Sequence, residues 1–241
     1  MTKASVTIAA CAALLWAGTA LAAATPQQKC QVAKLKAQGA LQACLAKNSG
    51  NVILGKADAS AACQTTFTTA LARADKKGPC RYIDNGDGTV SDLNTGLMWE
   101  KKDNLDGTVN ASDPHDADNR YTWSTRSPYN RDGTAFVNFL GALNSGTSSD
   151  GSTITGCFAS HCDWRLPTIV ELQSILLSAF PCGTDPCIDT EFGATQSDLY
   201  WSATSFAGYS PAAWDVLFTD GSLSDDFKTK NFRARAVRGG L

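Results

Sequence analysis

The segment Arg81–Asn104 reads RYIDNGDGTVSDLNTGLMWEKKDN. Its centre, Asp84-Asn85-Gly86-Asp87-Gly88-Thr89, has the acid-and-glycine texture of a calcium loop. An EF-hand takes oxygen ligands at loop positions one, three and five, glycine at six and glutamate at twelve, because a hard cation must be surrounded by oxygens. Counting from Asp84, positions three and five are Gly86 and Gly88; counting from Asn85, position five is Thr89. Glycine fills the slots where ligands should stand. The expectation is a turn in which glycine supplies φ > 0, a second turn at Leu93-Asn94-Thr95-Gly96, and three short strands folded around them.

A second acidic stretch carries Asp103, Asp106, Asp113, Asp116, Asp118 and Asn119. Calcium suits these oxygens by type, but their spacing matches no calcium motif, so a solvated acidic loop and no cofactor are expected. Cys157, His161 and Cys162, with Cys182 and Cys187, invite a zinc reading, yet the spacings are not those of common zinc modules. His115 and His161 are the only histidines. Neither lies in a nucleophile motif such as Gly-x-Ser-x-Gly, and no catalytic residue is assigned.

Ligand-binding chemistry points to the C-terminal aromatics. Tyr200, Trp201, Tyr209 and Trp214 lie in or beside expected strands, with Asp225, Asp226 and Lys228 after a turn. Aromatic faces beside carboxylates suit a sugar or a peptide, although Trp201 and Trp214 taken singly read as core. In Asp163-Trp164-Arg165-Leu166-Pro167, Trp164 and Leu166 read as core. Asp163 and Arg165 hold a loop through charged hydrogen bonds, and Pro167 sets up the next helix. Trp99 and Arg238 belong with that structural set.

These residues must be positioned by elements that the rest of the sequence specifies. The 241 residues are 43% hydrophobic, enough for one mid-sized core and a small second module. The net charge of −2 gives no sign of nucleic-acid binding. Residues 1–22 read as a signal peptide, with Lys3 as the basic start, an apolar run at Val6–Gly18 and small residues at Ala20-Leu21-Ala22. No later apolar run reaches transmembrane length, so the mature chain is expected to be secreted, periplasmic or at the cell surface. Eight cysteines remain beyond Cys11, and an even count in an exported chain reads as four disulfides.

Residues 25–80 carry net charge +6 and residues 81–241 net charge −9, which marks two modules. In the basic head, Cys30, Ala33, Ala37, Leu41 and Cys44 share a helical face over Gln28–Lys47. "NSGNVILG" is expected to break the helix, and a second helix to run over Lys56–Lys76. Antiparallel packing of the two then favours nested disulfides, Cys44–Cys63 inside Cys30–Cys80. In the body, TVSD, GLMWE, LYWSAT, AAWDVLF and RARAVR read as strands. DGTAFVNFLGALNSG and TIVELQSILLSAF read as helices, the latter opened by a Thr168/Glu171 capping box. NSGTSSDGSTITG reads as a surface loop. Local pairs Cys157–Cys162 and Cys182–Cys187 are expected, with crossed pairing left open.

DNGDGTVSDLNTGLMWEKK, followed in order by YTWS, CDWRLPTIVELQSIL, CIDTEFG, LYWSATSFAG, AWDVLFTDGSL and RAVRGG, resembles the Lcl C-terminal domain family, roughly over 81–239. The resemblance implies an α+β, C-type-lectin-like domain of short antiparallel strands and two helices over 81–241, preceded here by the disulfide-linked helical hairpin. It further implies kinship with the formylglycine-generating-enzyme superfamily, a secreted or surface setting, adhesion, and binding of sulfated glycosaminoglycans in the family's namesake. Three functions follow as expectations. The first is a non-enzymatic module recognising a glycan or a surface protein. The others are an enzyme of the related superfamily and a structural envelope protein. Because polyanions need clustered cations, polyanion contact is expected through the basic head.

Overall fold

Thr25 accepts a hydrogen bond from the Gln28 amide at 3.1 Å, and the Gln28 side chain accepts one from the Thr25 amide at 2.9 Å. This capping box opens α1 (Pro26–Ile53). A computed structural model describes residues 24–76, 80–145, 147–148 and 154–240; the expected signal peptide lies outside the described residues. α1 continues past Lys47, through the stretch expected to break it. Asn48 explains the difference. Its side-chain amide donates to Asp58 at 2.7 Å and its carbonyl accepts the Ala59 amide at 2.7 Å, so it clamps the start of the next helix without leaving its own. α2 spans Ser60–Asp75 and packs antiparallel on α1 through Ala37, Leu41, Cys63 and Phe67. The nested disulfides Cys30–Cys80 and Cys44–Cys63 join the pair. With so thin a core, each link at roughly 2–4 kcal/mol is a large part of the hairpin's stability.

The body is α+β. One antiparallel sheet has the order β1-β2-β3-β11, formed by Tyr82–Asp84, Thr89–Asp92, Leu97–Glu100 and Val237–Gly239. A second has the order β7-β8-β9, from Leu199–Ser205, Ala212–Leu217 and Leu223–Phe227. β4 (Tyr121–Thr122) pairs with β10 (Asn231–Phe232). At the base of the expected surface loop, β5 (Thr147–Ser148) pairs with β6 (Ile154–Thr155); residues 146 and 149–153 of that loop lie outside the described residues. The expected helix around Phe136–Leu143 forms as a wide π-type turn, Ala135–Phe139, running into α3, Leu140–Leu143. One core gathers Trp123, Phe139, Trp164 and Trp201; another gathers Trp99, Phe192, Tyr200 and Phe218.

Asp84–Thr89 is a turn between β1 and β2. Gly86 and Gly88 have φ of +76° and +85°, the left-handed region that favours glycine. Asp84 accepts the Gly86 amide at 2.9 Å and Asp87 the Thr89 amide at 3.1 Å, so both carboxylates close the turn.

Two elements differ from the sequence reading. RARAVR forms a strand only from Val237, because Arg235 is drawn inward. Its guanidinium donates to the carbonyls of Glu100 (2.8 Å) and Phe192 (3.0 Å) and to the Thr195 hydroxyl (3.0 Å). α4 has its Thr168/Glu171 capping box but covers only Ile169–Ser174, where a helix through Phe180 was expected. After Ser174 the chain turns to meet the 182–188 segment. Leu176 bridges to Ile188, and the Leu177 amide donates to Cys187 at 3.3 Å.

Candidate functional site

The early end of α4 creates a cleft. Gln173 and Leu176 form one wall, Ser178, Ala179 and Phe180 a second, and the β8–β9 turn Gly221-Ser222-Leu223 a third, around a volume of about 560 Å³. The Cys182–Cys187 disulfide fixes the loop behind it, with the Cys182 amide donating to Asp220 at 2.7 Å and the Cys187 amide to Phe218 at 2.6 Å. Gly221 holds the tight turn at φ +79°, where an added Cβ would lie 3.4 Å from Leu176. The Phe180 ring is 61% exposed. The lining carries one amide and two serine hydroxyls and no charged side chain. This chemistry suits an uncharged ligand with one apolar face and several hydroxyls.

The expected ligand residues divide. Tyr200 and Trp201 are core: Tyr200 stacks on Phe218, and the Trp201 indole donates to Tyr121 at 2.8 Å. Lys228 is buried too. Its ammonium donates to Ser210 at 2.8 Å and sits 4.2 Å from the Trp123 ring centre, so it holds the sheet to the loop before it. These three are corrected from binding to structural roles: Tyr200 and Trp201 leave opposite faces of β7 and each packs into one of the two cores, and Lys228, just past β9, turns its ammonium onto Trp123 and the Ser210 carbonyl. The structure brings together Tyr209, Trp214 and Asp225, joined by Phe206 and Phe227, on one face of β8–β9. Asp226 lies on the other face, paired with Lys230.

Asp215, opposite Ser224 and Trp201, is fully buried, and both its carboxylate oxygens are without a hydrogen-bond partner. Burial, reinforced by Asp226 and Asp225 and opposed by Lys230, pushes its carboxyl up to about 7.

The structural motif residues cross-link the body. Asp163 accepts from Arg238 at 2.6 Å; Arg165 makes a forked pair with Glu171 at 2.7 and 2.6 Å; Trp99, Trp164 and Leu166 are buried. Pro167 accepts the Ala203 amide at 2.7 Å as the chain enters α4. Cys157 pairs with Cys162. Among the described residues, no three His, Cys, Asp or Glu side chains converge as a metal-binding group.

The acidic stretch is solvated in its first part, where residues 103–112 including Asp103 and Asp106 are exposed, but not in its second. Asp116, Asp118 and Asn119 are buried because their side chains hold the loop's own backbone. Asp118 accepts the amides of Asp106 (3.0 Å) and Gly107 (2.7 Å), and Asp116 those of Asn110 (2.9 Å) and Asp118 (2.6 Å). The sequence reading also missed a buried charge network. Glu100 meets Lys102 at 2.8 Å and His115 at 3.0 Å. Burial alone would raise Glu100, but Lys102, His115 and Arg235 outweigh it and hold the carboxyl low, at about 2. The readable signal was a glutamate directly after the apolar run Leu97-Met98-Trp99.

The family model for the Lcl C-terminal domain matches residues 88–238. The chain belongs to the Lcl C-terminal domain family. A search among curated proteins finds no match. The cleft, the β8–β9 face and the buried Glu100 network all lie within the matched Lcl C-terminal domain, whereas the helical hairpin lies outside it. On the hairpin, Lys34 is fully buried, while Lys29, Lys36 and Arg73 are exposed around a groove of about 300 Å³ and make no ion pair among the described residues. No described helix is long and apolar enough to cross a membrane.

Proposed function

We propose that the mature chain is an exported, non-enzymatic binding module that recognises a glycan or protein at the cell envelope or surface. The uncharged cleft carries the reading. Phe180 offers a ring for the C–H face of a sugar, and Gln173, Ser178 and Ser222 offer the amide and hydroxyls that sugar hydroxyls require. Four disulfides support an oxidising compartment. The second contact is electrostatic: a polyanion held by Lys29, Lys36 and Arg73 of the hairpin, since the body is acidic.

The test is a glycan array probed with the mature chain, wild type against Phe180→Ala and Gln173→Ala. Binding of a neutral glycan that both variants lose supports the reading. Binding that neither variant alters removes the cleft from it. One feature favours the enzyme alternative: burial pushes the Asp215 carboxyl up to about 7, the range of an acid–base catalyst. It is sealed in the sheet and is not part of the cleft wall.

A further inference from the structure

β9 is the open edge of its sheet. Its one strand neighbour among the described residues is β8. The opposite edge, β7, is covered by the C-terminal segment: the Trp201 amide donates to Arg233 and the Arg233 amide to Leu199, both at 2.9 Å. The hydrogen-bond alternation along β9 is fixed at both ends. At one end the Leu217 amide donates to Ser222 at 2.9 Å; at the other the Lys228 amide donates to Pro211 at 2.8 Å. In an antiparallel ladder alternate residues turn their backbone groups to the partner. Ser224 and Asp226 therefore face β8, and Leu223, Asp225 and Phe227 turn theirs outward.

The same three residues share one side of the sheet, opposite Val216, Trp214 and Ala212. Leu223 and Phe227 are 42% and 49% exposed, with Asp225 exposed between them. The edge thus turns outward the amides and carbonyls of Leu223 and Asp225 and the amide of Phe227, whose carbonyl accepts the Lys230 amide at 2.8 Å, in register with an apolar–carboxylate–apolar row. An exposed edge strand of this kind is a template for another chain.

We propose that β9 is a docking edge for an extended peptide segment of a partner protein, of the pattern apolar–x–cation–x–apolar. Backbone pairing to Leu223, Asp225 and the Phe227 amide supplies affinity. The two apolar side chains lie beside Leu223 and Phe227, and the cation meets Asp225. Charge complementarity selects this occupant. The body carries net charge −9. A second copy of β9 would set Asp225 and Asp226 against their own counterparts, and like charges opposite one another destabilise a strand pair. The proposal rests on the binding-module reading for its class of partner, but its surface is the β9 edge, which shares only Leu223 with the Phe180 cleft.

The test uses the mature full-length chain and a fluorescein-labelled acetyl-Thr-Leu-Thr-Lys-Thr-Leu-Thr-amide peptide, followed by anisotropy. The peptide is read in antiparallel pairing, in which each Leu and the Lys lies directly opposite Leu223, Asp225 or Phe227 and turns its own backbone groups towards β9. Two N-methylated analogues separate edge pairing from simple adhesion. Methylation at the two Leu and the Lys removes the amides that face β9, and is expected to weaken binding by about tenfold or more. Methylation at the two inner Thr, whose amides face away, leaves it within about threefold. Asp225→Lys is expected to lose the Lys peptide and gain a peptide with Glu in its place, and to leave glycan binding at the cleft unchanged. Equal loss with both methylated analogues, or unaltered binding by Asp225→Lys, overturns the proposal. So does the absence of saturable binding at about 1 mM peptide, the weak end of specific affinity. A concentration-dependent dimer in sedimentation velocity that Leu223→Lys abolishes also overturns it, by placing a second copy on the edge. Failure of the glycan array alone leaves this test intact.

Discussion

The Lys34 ammonium is fully buried between two partners: Asp75 of the neighbouring helix at 2.5 Å and Asn94 of the β2–β3 turn at 2.7 Å. With Gln38 donating to the Leu93 carbonyl at 3.0 Å, it is the polar seam between hairpin and body. Lys34→Met keeps the stem and removes the charge, taking the donor from the half-buried Asn94 carbonyl and the ion pair from Asp75. The expected cost is about 1–3 kcal/mol. Urea unfolding measures it, and faster amide exchange over α1 locates it.

The seam uses one cation, and Lys29, Lys36 and Arg73 make no ion pair among the described residues. The full chain is expected to be retained on heparin, and the Lys29→Glu, Lys36→Glu, Arg73→Glu triple variant to elute at distinctly lower salt. Unchanged retention of the triple variant would move the polyanion site elsewhere.

Glu100 and Lys102 form a buried pair whose halves depend on each other. Glu100→Gln leaves a buried ammonium without its counter-charge, and is expected to cost about 3–5 kcal/mol. The Glu100→Gln, Lys102→Met double variant should recover part of that, a coupling that a double-mutant cycle in urea reads directly. The Glu100 carboxyl is held below its ordinary value of 4.5, at about 2. Its contribution is therefore present above pH 4.5 and lost as pH falls through 2.

Asp215 has the opposite sign. Its folded value, about 7, lies above the ordinary 3.8. The protonated group favours the fold at low pH, and that advantage declines between about pH 4 and 7 and is gone above it. Asp215→Asn should flatten this slope. The stability difference between variant and wild type should grow across that window by an amount on the order of 2–4 kcal/mol, then level. Parallel curves in chemical denaturation at pH 4, 5.5, 7 and 8.5 would sink the idea.

The β1–β2 turn separates two glycines. Both have positive φ, but an added Cβ at Gly86 meets nothing within 4 Å, whereas at Gly88 it lies 3.2 Å from the Phe158 ring. Gly86→Ala is expected to cost about 1 kcal/mol from backbone strain, and Gly88→Ala more because the ring must also shift. Thermal unfolding of the two variants gives the order.

Local chemistry was the readable part of this sequence. The nested cysteines followed from helical spacing, the Asp84–Thr89 turn from glycines in ligand slots, and the α4 start from Thr168 and Glu171. Long-range capture was not readable. Nothing near Ser174 ends its helix; the disulfide-bound 182–188 segment does, through Leu177 and Ile188. Without that, Phe180 and the cleft stay hidden. Tyr200, Trp201 and Lys228 looked like surface ligands because composition does not say which face of a strand is covered. Lys34 was within reach: four residues after Cys30 and three before Ala37, it falls on the apolar face of α1.

The Cys30–Cys80 bond joins residues 50 apart in sequence, at the first turn of α1 and the entry to the body. Tension applied between the chain's two ends crosses that covalent bond directly. The hairpin beyond it hangs outside the load path, a closed ring holding roughly 170 Å of contour length that no pull can draw out while the sulfurs remain joined. Reduction of this one link adds roughly 105 Å of slack, because the nested Cys44–Cys63 bond keeps 19 residues of the ring closed; reduction of both adds the full length. A force-extension trace of the tethered protein would show it as a single added step, present with reductant and missing without.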